Sequence, residues 1–224
     1  MCIRDSIWRA EKQIFAVYSP WNHRLRTTFA LTAAEQLSAG KKVLYLNFSI
    51  CNGFCKSMGL EPDVDMGDLF YLLREDEEAL LAKLKSGIYP LGSYQIIPPP
   101  SNPEHYMEWR KGEVRHFLEI LLEKTDFEVL VLDMGCVMNG FFEVLDLCGR
   151  IWILKEHRTS KDSGIEELRE LLEKFKAGLE ERVEEVFLPG GQAWREDGTI
   201  QVEEFYMGEV GNCVRRLLGG EYAS

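Results

Sequence analysis

Residues 13–47 read QIFAVYSPWNHRLRTTFALTAAEQLSAGKKVLYLN. Ile14 to Tyr18 is a short, nearly continuous apolar run, the pattern of a strand buried on both faces in a parallel sheet. Ser19 to Arg26 is polar and reads as a loop. Thr27 to Ala39 has helical spacing, with Phe29, Ala30, Ala33, Ala34 and Leu37 on one face, and Gly40 is placed to end it. Lys42 to Asn47 carries Val43, Leu44, Tyr45 and Leu46 and reads as a second buried strand. Strand, loop, helix, glycine, strand is a βαβ unit with an expected right-handed crossover.

The alternation continues outward. Residues 54–87 are helical in pieces, with one apolar run at Leu69 to Leu73 and another helix over Glu77 to Lys85. Tyr94 to Ile97 is a predicted strand stopped by Pro98, Pro99 and Pro100, which suits a strand end better than a polyproline ligand. Glu104 to Lys124 reads as one long amphipathic helix. Val129 to Asp133 is the strongest strand signal in the chain, apolar until it ends in a carboxylate. Phe141 to Leu147 is a short helix, Ile151 to Leu154 a strand, Ser160 to Phe175 a charged helix with an apolar stripe, and Glu185 to Leu188 a strand. Gly208 to Leu218 closes the series as a helix. The expected fold is α/β, a three-layer sandwich with a mainly parallel central sheet flanked by helices. It is expected to occupy residues 13–224. Residues 1–12 form an unassigned lead-in, read as a scar or the cut end of a longer protein, because the first six share no pattern with the rest of the chain.

Composition limits the function classes. The 224 residues are 46% hydrophobic and 28% charged, which is globular rather than disordered. Lys and Arg number 26 against 37 Asp and Glu, a net charge of −11, so nucleic acid is not an expected partner. No apolar run approaches the ~18 residues of a membrane span, and no stable membrane insertion is expected. Six scattered cysteines read as reduced thiols of a cytoplasmic protein. Cys51 and Cys55 lack the second pair that a zinc site needs, and the four histidines have no ligand spacing. No serine sits in a nucleophile elbow. The acidic run Glu75 to Glu78 reads as a solvated helix start.

In an open parallel sheet, ligands bind beyond the carboxyl ends of the strands. Here those ends follow Tyr18, Leu46 and Leu132. Five pieces, IFAVYSP (14–20), TTFAL (27–31), KKVLYLN (41–47), IIPP (96–99) and VLVLDMG (129–135), stand in an order and spacing that resembles the MinD/ParA class of deviant P-loop ATPases, especially its CpaE/TadZ-like branch. The resemblance runs from about Ile14 to Leu218. That family's phosphate loop reads Lys-Gly-Gly-x-Gly-Lys-Thr-Thr, with glycines that let backbone N–H groups close on phosphates. The matching residues are Trp21 to Thr28. Trp21 replaces the signature lysine, Arg26 replaces the phosphate lysine, and all three glycines are gone, while Thr27 keeps the position of the Mg²⁺ ligand. By the resemblance, Arg24, Arg26, Thr27 and Thr28 would be the nucleotide contacts, and Thr27 with Asp133 the metal residues. Asn47, Phe48 and Ser49 stand where the family carries water-positioning carboxylates.

The resemblance with these losses implies a catalytically impaired domain with no catalytic residue and no cofactor. It would serve as a scaffold or localisation module for a protein partner in pilus or secretion machinery, at a membrane or cell pole through that partner. The alternative is an active ATPase with an unusual loop, using ATP and Mg²⁺ and dimerising with them. A homodimer is expected of the class, with Trp21 packing at a nucleotide-independent contact. Relatives often carry a receiver-like domain upstream, for which the abrupt start leaves room. The stripe Val210, Val214, Leu217 and Leu218 is expected to dock on the domain's own core rather than on a bilayer.

Overall fold

A computed structural model describes residues 13–20, 23–49, 53–135, 137–155, 163–188 and 206–219, with the backbone alone at 23 and 24. Seven strands form one sheet in the order β3-β4-β2-β5-β1-β6-β7. They are β1 (Gln13–Tyr18), β2 (Val43–Phe48), β3 (Tyr89–Leu91), β4 (Tyr94–Ile97), β5 (Val129–Met134), β6 (Arg150–Lys155) and β7 (Val183–Phe187). Every pairing is parallel except β3 with β4. The expected α/β sandwich is therefore present.

The strands at the centre explain their own sequence pattern. β2 and β5 are buried at all six positions, so neither face needs polar residues and both read as continuous apolar runs. Alternate residues supply two separate cores. Phe15, Val17, Tyr45, Val129, Val131 and Trp152 face helix α1 (His23–Leu37) and the last helix, α9 (Glu209–Leu218). Ile14, Ala16, Leu44, Leu46, Leu130 and Leu132 face the opposite layer. That layer holds α3 (Met66–Glu75), α4 (Glu77–Gly87), α5 (Glu104–Glu108), α6 (Glu113–Lys124), α7 (Phe141–Leu147) and α8 (Ser163–Phe175). The short α2 (Phe54–Ser57) sets Phe54 against Tyr45 on the first side.

Helix α1 is buried on more than one side. Phe29, Ala30, Leu31, Ala33, Ala34 and Leu37 are all at most 1% exposed. Its second side is covered by α9, which buries Cys213, Val214 and Leu218. Gln36 donates to the Gly211 carbonyl at 2.8 Å, and Arg150 on β6 donates to the Leu217 carbonyl at 2.7 Å. The C-terminal stripe thus docks on the domain, as its spacing suggested. Among the described residues, no helix is long and apolar enough to cross a membrane.

Three expectations need correction, and one strand was not expected. The stretch 19–26 is a loop only in part, since α1 already begins at His23. Its polar composition suggested a loop, but it holds no glycine after Pro20, and Leu25 packs on the α1 core and extends the helix. The long helix 104–124 is two helices. Trp109 turns to extended geometry (φ −66°, ψ 130°) and stacks inside the core on Phe70, and Gly112 takes φ +86° before α6. Strand β3 went unread because it has three residues, one of them Pro90. Strand β7 begins at Val183, two residues before the expected start.

Candidate functional site

Strand β5 lies between β1 and β2, and its register sets Asp133 beside Val17 on one side and Asn47 on the other. The chain runs outward from β1 to β2, β4 and β3, and from β5 the opposite way to β6 and β7, so the connections diverge at the adjacent strands β5 and β1. The carboxyl ends of these three strands therefore form the crevice in which doubly wound sheets place their sites.

Asp133 is fully buried there, and four side chains donate to its carboxylate. Arg26 Nε pairs with Oδ1, and both side chains have no exposed surface. Oδ2 accepts from Thr27 Oγ1 at 2.7 Å, from the Tyr45 hydroxyl at 2.8 Å and from Asn47 Nδ2 at 3.2 Å. Arg26 reaches further, donating from Nη2 to Ser49 Oγ at 2.5 Å. Asn47 Nδ2 also lies 3.0 Å from the Tyr45 hydroxyl, and the Asn47 carbonyl accepts from Tyr106 on α5 at 3.0 Å. Burial, and then the Asp133 charge, hold the Tyr45 phenol well above its ordinary range, so it remains a neutral donor.

Local backbone makes this cluster possible. Residues 45 and 47 are two apart on β2 and share the face turned to α1. Gly135, just past β5, donates to the Phe48 carbonyl at 2.9 Å. A Cβ at 135 would sit 2.5 Å from Ser49 Cβ and 2.6 Å from Arg26 Nη2, so only glycine leaves room for the guanidinium. Tyr18 at the end of β1 stands edge-on to Phe141, and burial raises its phenol pKa against the lowering effect of nearby Arg26.

Of the residues singled out in the sequence, Arg26, Thr27 and Asp133 are brought together. Thr28 is buried beside them, with its hydroxyl unpartnered among the described residues. The side chain of Arg24, like Trp21, lies outside the described residues. Cys55, Cys148 and Cys213 are free thiols, and no group of three metal-ligating side chains occurs among the described residues. Sequence reading passed over Tyr45, Tyr106 and Gly135 as cluster members. It noted Asn47 and Ser49 only for the acids they replace. The available signal was an amide and a phenol, two apart, inside an apolar strand.

No family model and no curated protein sequence matches this chain. Solved structures do. A ParA family ATPase from Chlorobium tepidum TLS superposes with a TM-score of 0.66 at 17% identity, over 94% of this chain and 93% of the other. The MinC:MinD cell division complex of Aquifex aeolicus gives 0.57 at 15% identity, over 87% and 76%. Cobyrinic acid a,c-diamide synthase from Mycobacterium smegmatis, with bound ATP analog and magnesium, gives 0.56 at 16% identity, over 80% and 74%. The fold is that of the P-loop nucleotide-binding proteins. Within them it is of the ParA/MinD kind.

Proposed function

We propose that this chain is a catalytically impaired MinD/ParA-like P-loop domain, spanning residues 13–224, that acts as a cytoplasmic scaffold or localisation module. The observation that carries this reading is the buried Arg26–Asp133 pair. An ATP·Mg²⁺ site of this kind needs an outward-reaching cation at position 26 and a carboxylate at 133 open toward the metal. The guanidinium is turned inward onto the carboxylate, and Tyr45 and Asn47 take up its second oxygen. The Thr27 hydroxyl would retain lone pairs for a cation while donating to Asp133, but a divalent ion would meet the Arg26 charge. The residues present do not fit the group, so no step of hydrolysis is assigned to them. The missing glycines and the missing acids at 47–49 agree with that.

A scaffold needs a partner. The MinC:MinD relative is a complex between such a domain and another protein, which supports a protein partner here. The CpaE/TadZ-like pattern of the sequence directs the proposal to pilus assembly or polar positioning, with location set by the partner.

The test is thermal unfolding with and without millimolar ATP·Mg²⁺. A ligand specific for the folded state at a hundred times its Kd adds about 2.7 kcal/mol, a readily measured rise in midpoint. The expected result is no rise. A clear rise that is abolished in Asp133→Ala would overturn the proposal and restore the ATPase alternative.

A further inference from the structure

Arg26 brings a cation into the crevice on the chain itself. From the first turn of α1 its planar fork spans two strand ends, with Nε on Asp133 Oδ1 and Nη2 on Ser49 Oγ. Thr27, Tyr45 and Asn47 fill the other carboxylate oxygen. One positive charge meets one negative charge, neither with exposed surface, and the donors come from α1, β2 and β5's own neighbours in the sheet. Gly135 leaves the space that the guanidinium fills.

The same strand ends hold α5. The Tyr106 hydroxyl donates to the Asn47 carbonyl at 3.0 Å, while the Asn47 amide donates to Asp133. Asn139, in the segment after β5, donates from Nδ2 to the Trp109 carbonyl at 2.8 Å, just past the end of α5. The helix is thus tied to both strands that Arg26 joins. In proteins switched by a bound ion or nucleotide, the ligand's charge holds such segments together and lets them go when it leaves. A charge carried on a side chain does not leave.

We propose that Arg26 is a resident cation that stands in for a bound ion and keeps the crevice, together with α5, in one ligand-independent state. Resting on the reading of a crevice that takes no ATP·Mg²⁺, this adds the regulation of the module. The face shown to a partner is set when the chain folds, not by a ligand that comes and goes. The coupling runs from Arg26 through Asp133 and Asn47 to Tyr106.

The experiment is NMR of the full ¹⁵N-labelled chain, which observes the guanidinium directly. The Arg26 Nε–H signal, assigned through its contacts with Ser49 and Gly135, needs no variant. It is expected to exchange with water at least about ten-fold more slowly than that of the exposed Arg110, and to stay in place with millimolar Mg²⁺. Arg26→Lys keeps the charge but loses the fork, so it should shift the amide signals of residues 104–109. In a Tyr106→Phe background the same change should shift them less than half as far, because the tie to Asn47 is gone. Exchange as fast as that of Arg110, or displacement of the Nε–H signal by Mg²⁺ alone, would overturn the resident cation. Amides of 104–109 that ignore Arg26→Lys, or move equally without the Tyr106 hydroxyl, would overturn its hold on α5. Either result with a melting midpoint insensitive to ATP·Mg²⁺ overturns this inference and leaves the earlier reading standing, whereas a midpoint raised by ATP·Mg²⁺ overturns both.

Discussion

At the scale of single residues, the Arg26–Asp133 pair decides how the crevice behaves. Two charges removed from water survive only with close geometry and satisfied lone pairs, and the four donors to Asp133 supply both. Removing one partner leaves the other buried and unanswered. Arg26→Met is therefore expected to lower stability by about 3–5 kcal/mol. Arg26→Met with Asp133→Asn should lose clearly less than the two single changes summed, because the second change discharges the group left behind by the first. Urea unfolding of the four proteins measures this; strict additivity would mean the two groups do not interact. Tyr45→Phe removes one neutral donor to a charged acceptor and should cost about 1–3 kcal/mol. These residues were unequally legible. Asp133 showed itself as an acid ending an apolar strand, and Arg26 and Thr27 followed from the likeness to a phosphate loop. Tyr45 and Asn47 did not, because what they do depends on β5 entering between β1 and β2, and no local spacing announces a neighbour more than 80 residues away.

At the scale of elements, the two helical corrections share a cause. In the two helical corrections, a buried aromatic or a helix-compatible residue overrode the local rule. Trp109 broke the expected 104–124 helix by turning inward to Phe70, and the periodicity on either side concealed the break. The halves are then tied back by Arg74, which joins α3 to Glu113 at the start of α6. Hydrogen bonding from Arg74 holds the Glu113 carboxyl below its ordinary value of 4.5. A lowered carboxylate pKa adds stability that is fully present above the ordinary value and is lost as the pH falls through the folded one. The stability difference between the wild type and Glu113→Gln should thus be constant near neutrality and shrink below about pH 4.5, as read from denaturant midpoints across pH. An unchanged difference at acid pH would separate Glu113 from Arg74. On the other side of the sheet, Leu218 is 2% exposed at the seam of α9 with the core. Leu218→Ala should lower stability by about 2–3 kcal/mol, and a thermal melt reports it.

At the scale of the whole molecule, the alternation of apolar runs and amphipathic segments was enough to read the layers, since parallel strands cannot be joined without crossovers. The strand order was not readable, because parallel register carries no turn signal between partners. The proposed function rests on that order, which brings positions 26, 47 and 133 to one point. It predicts a molecule whose melting midpoint ignores ATP·Mg²⁺. The docking of α9 on α1 has a consequence for how the protein is made. The outer side of α1 is covered by residues 209–218, some 170 positions later in the chain. At a synthesis rate of about 5–20 residues per second, α1 waits roughly ten to thirty seconds on the ribosome for its cover. During that interval an alanine-rich, apolar helix is open to whatever the cell offers it. Nascent chains stalled before residue 209 should bind holdase chaperones more strongly than chains stalled after α9 has emerged.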